Sequence, residues 1–162
     1  MATQPHDPQP NGEDTTPAIG LISQYIKDMS FENPNAPAVY QWTGQPQIDI
    51  QFNIGASQLG EDVHEVVLKI DVTAKAAEGT AFAVELAYGA LFGMRNVPED
   101  QVQGFLLAEA PRLVFPFARR VLADAVRDGG FPPLLIDPID FNGLYLQQAA
   151  AQAQGDGVIG NA

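Results

Sequence analysis

The sequence predicts an α+β domain in which helices pack on one face of a β-sheet. Three observations carry that expectation. Four stretches between residues 21 and 94 alternate apolar and polar side chains with the period of two expected of half-buried strands. From Pro98 onward the apolar residues recur three and four apart instead, the spacing of amphipathic helices. A run of strands followed by a run of helices describes a sheet layered against helices, not the alternation that builds a parallel α/β sheet.

The first strand covers residues 21–32, and within it Asp28, Ser30 and Glu32 share one face. The second, residues 46–54, sets Ile48, Ile50, Phe52 and Ile54 against Gln47, Asp49, Gln51 and Asn53. In the third, residues 63–75, Val66, Leu68, Ile70, Val72 and Ala74 oppose Glu65, Val67, Lys69, Asp71 and Thr73. A short turn, AEG at residues 77–79, leads into the fourth strand, residues 80–94 (TAFAVELAYGALFGM). One face of this strand is the unbroken apolar row Phe82, Val84, Leu86, Tyr88, Ala90, Phe92 and Met94. The other is small-chained apart from Leu91 and the single carboxylate of Glu85. So long an apolar row suggests cover beyond the domain's own core.

Pro98, Glu99 and Asp100 suit a helix first turn, where proline is tolerated and carboxylates complement the dipole. Pro111 is expected to restart that helix and Pro116 to kink it. Leu113, Phe117 and Val121 form one row, with Val114, Ala118, Leu122 and Ala125 beside it, and Gly129–Gly130 ends the helix. Asp140 reads as the N-cap of a last helix over residues 141–153. Residues 1–17, polar, proline-rich and acidic, read as a disordered arm, residues 18–148 as the folded domain, and residues 149–162 as a flexible tail.

The chain carries 20 acidic and 8 basic residues, a formal charge of −12. No Lys/Arg cluster is present to neutralise phosphates, which argues against nucleic acid and against anionic membrane surfaces. Cysteine is absent, removing disulfide and thiolate chemistry and fitting a cytoplasmic protein. Neither a signal peptide nor a membrane-spanning apolar run is expected. His64 opens HEVVL, which lacks the second histidine of a zinc-protease helix, and Ser57 lies in GASQL, not in a nucleophile elbow. The expectation is therefore no enzyme, with no catalytic residue, metal or cofactor.

Three constellations could bind. Asp28 and Glu32 on one strand, with Glu85 and its neighbour Ala83 on another, offer a flat acidic face to a basic partner. The row Phe82, Val84, Leu86 and Tyr88 is core in part, and the multi-striped helix beside it leaves surface to bury against another subunit. The loop of residues 36–46 carries Tyr40 and Trp42, and the last helix projects Leu144, Tyr145 and Leu146, aromatic and aliphatic groups suited to holding unfolded chains.

The fourth strand, with SFENPNAP at residues 30–37, FPFAR at 115–119 and GGFPPL at 129–134 in that order, closely resembles the SecB family of bacterial protein-export chaperones. The resemblance runs from about residue 21 to residue 148. It implies a four-stranded antiparallel sheet with its helices on one side, assembling as a tetramer, a dimer of dimers. It implies that the positions of Asp28, Glu32, Ala83 and Glu85 help bind the translocation motor SecA, with identity at the three acids. Those of Phe82, Val84, Leu86 and Tyr88 would influence assembly. Clients would lie in a groove walled by the crossover loop and the last helix, which assigns Tyr40, Trp42, Leu144 and Tyr145 to client binding. The implied activity is that of an ATP-independent holdase, keeping precursor proteins unfolded in the cytoplasm until SecA takes them. The rival is a non-chaperone interaction scaffold, or an antitoxin-linked relative, on the same fold.

Overall fold

The computed structural model describes residues 15–159, with side-chain surroundings through residue 154. Most of the expected N-terminal arm thus lies outside the described residues, as do residues 160–162. Strands β1 (Ala18–Glu32), β2 (Gln47–Gln58), β3 (Val63–Ala76) and β4 (Gly79–Arg95) form one antiparallel sheet in the spatial order β1-β4-β3-β2. β2, β3 and β4 are successive hairpin partners, whereas β1 and β2 hold opposite edges. Residues 33–46 must therefore cross from one edge to the other, and a single 3-10 turn, Ala38–Gln41, is their only regular structure.

Alternation decides what is buried. Val66, Leu68, Ile70, Val72 and Ala74 of β3 are at most 1% exposed, beside Phe82, Val84, Leu86, Ala90 and Phe92 of β4. Val114, Ala118, Leu122 and Val126, four apart on one stripe of α2 (Ala110–Asp128), are buried in the same cluster. Each large aliphatic side chain taken from water contributes about 1.5–3 kcal/mol, so this layer dominates stability.

α2 is the last part of a continuous helical run. α1 (Glu99–Gly104) is capped by Pro98, with Glu99 and Asp100 in its first turn, and passes through a π turn, Phe105–Glu109, into α2. The π turn falls where Pro111 cannot supply the amide that an α-helix would aim at the Leu107 carbonyl. Gly129 donates to the Ala125 carbonyl at 3.0 Å, and Gly130 takes φ +89°, a conformation that needs glycine. α3 (Phe141–Ile159) starts at the expected cap, with the Gly143 amide donating to Asp140 Oδ1 at 3.0 Å. It continues to Ile159, six residues past the expected helix end at residue 153.

The expected subunit-contact row differs in one respect. Phe82, Val84, Leu86 and Tyr88 are 3%, 1%, 2% and 6% exposed within the single chain. They are core rather than an available contact surface, because α2 of the same chain covers them. Exposed apolar residues lie elsewhere, among them Leu113 and Phe117 on the outer stripe of α2, and Ile19, Leu21, Ile22 and Ile26 on the edge strand β1.

Candidate functional site

Two separate surfaces gather the candidate residues. The first is a cleft of about 610 Å³ where β3 turns into β4, walled by the crossover and by the chain following α2. Val39, Tyr40, Trp42, Ile48, Phe82, Phe131, Pro132, Pro133 and Leu134 line it. Three of its aromatic rings form a chain, Phe82 to Phe131 at 4.8 Å and Phe131 to Tyr40 at 5.7 Å between centroids, and Phe31, outside the cleft lining, stacks behind Phe82 at 6.2 Å. Such a wall offers apolar contact without directional demands.

The crossover is tied down at both sides of the cleft. The Tyr40 hydroxyl donates to the Gly129 carbonyl at 2.7 Å and accepts from Asn33 Nδ2 at 2.9 Å. Asn33 Nδ2 also reaches the Gly129 carbonyl at 3.1 Å, and Asn35 Nδ2 donates to the Thr80 carbonyl at 2.8 Å. A Cβ on Gly130 would stand 2.9 Å from the Tyr40 ring, so glycine here admits the tyrosine. Tyr40 remains half exposed, and Trp42 is partly buried against the core near Gly79.

Of the expected client-binding residues, the structure brings Tyr40 and Trp42 together and leaves Leu144 and Tyr145 apart. Both of the latter lie on α3, with Leu144 exposed and Tyr145 lying against Gly104 of α1, and neither lines the cleft. Phe131, Pro132, Pro133 and Leu134 take their place. Their signal was present in GGFPPL, which marks a helix end but says nothing of where the released chain goes.

The second surface is the sheet face away from the helices. Asp28, Ser30 and Glu32 of β1 pair with Ala87, Glu85 and Ala83 of β4, so the four docking candidates Asp28, Glu32, Ala83 and Glu85 are neighbours on one face. The three acids are exposed and Ala83 is partly buried. Among the described residues, no ion pair engages Asp28, Glu32 or Glu85. Asp71 of β3 sits directly opposite Glu85, and it shares a shallow depression with Asp28, Lys69 and Glu85. Like charges placed opposite each other weaken a sheet, so this face is not arranged for stability alone. Asp71 was legible as an outward residue of its strand, but its alignment with Glu85 depends on register.

Beside the acids lies a cluster that couples β1 to β3 across the intervening β4. Glu65 of β3 accepts from Lys27 Nζ at 2.6 Å and from the Tyr25 hydroxyl, both on β1. The Lys27 hydrogen bond, then that of Tyr25, holds the Glu65 carboxyl below the ordinary carboxylate range. Burial, then the bond to Glu65 and the charge of its carboxylate, pushes the Tyr25 phenol up to about 12.

Among the described residues, no group of three or more His, Cys, Asp or Glu is placed to hold a metal ion, and no helix is long and apolar enough to cross a membrane. His64 stands at the start of β3, opposite Gln58 and Phe92.

Comparison with known proteins points to one family. The family model described as SecB, preprotein translocase subunit SecB, matches residues 12–152. A protein-export protein SecB of Sphingopyxis alaskensis is 69% identical over 150 residues, covering 93% of this chain and 87% of that protein. A protein-export protein SecB of Azorhizobium caulinodans is 50% identical over 163 residues and the full length of both. Among solved structures, a SecB-like chaperone of Mycobacterium tuberculosis in complex with an antitoxin peptide superposes with TM-score 0.63 at 12% identity, over 75% of this chain and 90% of that one. At that identity the likeness speaks for the fold alone. With the family model spanning residues 12–152 and relatives this similar along the whole sequence, the chain belongs to the SecB family of protein-export chaperones.

Proposed function

We propose that the protein is an ATP-independent holdase that keeps precursor proteins unfolded in the cytoplasm and passes them to SecA. The observation that carries this reading is the separation of two unlike surfaces on one sheet. The aromatic cleft suits extended apolar segments of many sequences, and the acidic face suits a basic partner. Client and motor can then be held at once without competing for the same groups. Binding the unfolded chain withdraws it from folding and aggregation by mass action, which needs no nucleotide.

Assembly as a dimer of dimers is part of the same reading. The exposed apolar residues of β1 and of the outer stripe of α2 supply two distinct surfaces per chain, as such an assembly requires. The core row Phe82, Val84, Leu86 and Tyr88 would influence assembly by supporting α2, not by touching the partner.

Charge reversal tests the docking face. Glu85→Lys is expected to weaken SecA binding in calorimetric titration while leaving client binding intact. The deficit should shrink at high salt, where the Debye length falls to about 3 Å near 1 M. Equal SecA affinity for the variant and the parent at low salt removes the acidic face from the reading.

A further inference from the structure

We propose that Tyr25, Lys27, Glu65 and Gly89 form a brace that holds the bulge at Lys27 of β1 and so positions Asp28 on the docking face. The inference rests on the docking role of that face.

Register makes the bulge decisive. Tyr25 pairs with Gly89 and Ile26 with Tyr88, after which the register shifts and Asp28 pairs with Ala87. Lys27 is the extra residue. Continued without the shift, the ladder would set Asp28 opposite Leu86, whose side chain is 2% exposed beneath α2. A slip of one residue moves every following side chain to the other face. The bulge therefore decides whether Asp28, Ser30 and Glu32 face solvent beside Glu85 or turn toward the core.

One carboxylate ties down the bulged residue and the tyrosine two positions before it. Lys27, the bulged residue, reaches Glu65 Oε1 at 2.6 Å, and Tyr25 donates to the other Glu65 oxygen. Glu65 belongs to β3, so the Tyr25 side chain must cross β4 to meet it. It crosses at Gly89, where a Cβ would lie 2.5 Å from Tyr25 Cε2 and 2.9 Å from its Cζ. The brace thus depends on a glycine in the middle of a long strand, where glycine is otherwise unfavourable. All four residues lie on the sheet face away from the helices, outside the apolar cluster. Bulges re-aim side chains, and here the re-aimed group is Asp28.

SecA affinity measured by titration, with thermal unfolding followed by circular dichroism, tests the brace in four variants. Glu65→Gln removes the charge that holds Lys27. Gly89→Ala displaces the Tyr25 ring without altering any charge. Asp28→Asn, alone and combined with Glu65→Gln, closes a double-mutant cycle. The expected result is SecA binding weakened about 5-fold by Glu65→Gln and by Gly89→Ala, with client affinity unchanged. In the Asp28→Asn background, Glu65→Gln is expected to cost clearly less than in the parent, because part of the effect of the brace runs through Asp28 and only the part that runs through Glu32 remains. If Asp28→Asn weakens SecA binding while folded Glu65→Gln and Gly89→Ala bind like the parent, the brace is overturned and the docking face stands. If Glu65→Gln costs as much in the Asp28→Asn background as in the parent, Glu65 acts by its own charge and the positioning role is overturned. If Asp28→Asn itself changes nothing, the docking role of Asp28 fails, and the proposal with it.

Discussion

Replacing Phe131 by alanine should loosen client binding without unfolding the domain. The ring is partly buried and packs between Phe82 at 4.8 Å and Tyr40 at 5.7 Å, leaving its remaining surface to the cleft. Fully burying a phenylalanine contributes about 1.5–3 kcal/mol, and a ring contacted by client on one side offers roughly half of the lower to middle range, about 1 kcal/mol. At about 1.4 kcal/mol per decade, client dissociation constants should rise about 5-fold. The folding cost should be about 2 kcal/mol, roughly half that of a fully buried Phe→Ala change. A domain stable by about 5–15 kcal/mol tolerates that loss. Fluorescence anisotropy of a labelled, chemically unfolded protein measures the first quantity and circular dichroism the second. Leu144→Ala serves as control and should bind as the parent does, because Leu144 stands outside the cleft. A folded Phe131→Ala with parental affinity, or a larger loss in Leu144→Ala, would refute the assignment of clients to this cleft.

Other expectations follow from the same contacts. Leu86→Arg buries an unpaired guanidinium beneath α2 and should unfold the subunit, since such a charge costs several kcal/mol; a folded, dissociated variant by sedimentation and circular dichroism would return the row to an interface. Phe117→Asp, at a residue 45% exposed on α2, should instead yield folded subunits of lower mass by sedimentation velocity; an unchanged assembly would place the interface elsewhere. The folded pKa of Glu65 is lowered, so its contribution is present above the unfolded carboxylate pKa and is lost as pH falls through the lower folded value. Tyr25 is raised, so its contribution is present below its unfolded pKa and is lost as pH rises toward about 12. Stability measured against pH should therefore differ between the parent and Glu65→Gln at neutrality and converge in strong acid.

The sheet was legible because alternation is a local property. Ile48, Ile50, Phe52 and Ile54 announce one face of β2 whatever β2 pairs with. Its last residues, Gly55, Ala56, Ser57 and Gln58, carry no apolar alternation and are strand because β3 runs beside them. The β1 bulge at Lys27 was illegible for a related reason: a bulge exists only relative to a partner, and Lys27 looks ordinary until Tyr25 and Asp28 are seen on the same face. The grouping of Asp28, Glu32 and Glu85 on one face was legible because it needs only β1 beside β4, which the family resemblance supplied. The cleft was half legible. Tyr40 and Trp42 stand out in a polar loop, whereas Phe131 and Leu134 join them only through the path of the chain beyond Gly130. The apolar row of β4 pointed to strong burial, but periodicity does not say whether a chain's own helix or a neighbour provides the cover.

Light scattering shows most directly whether the cleft holds unfolded chains without nucleotide. A denatured precursor is diluted into buffer with rising amounts of the protein and no ATP. Scattering should be suppressed at near-stoichiometric ratios for several unrelated substrates, and Phe131→Ala should shift the required ratio upward. Undiminished scattering at excess protein, or suppression limited to one folded partner, would count against the holdase and favour an interaction scaffold.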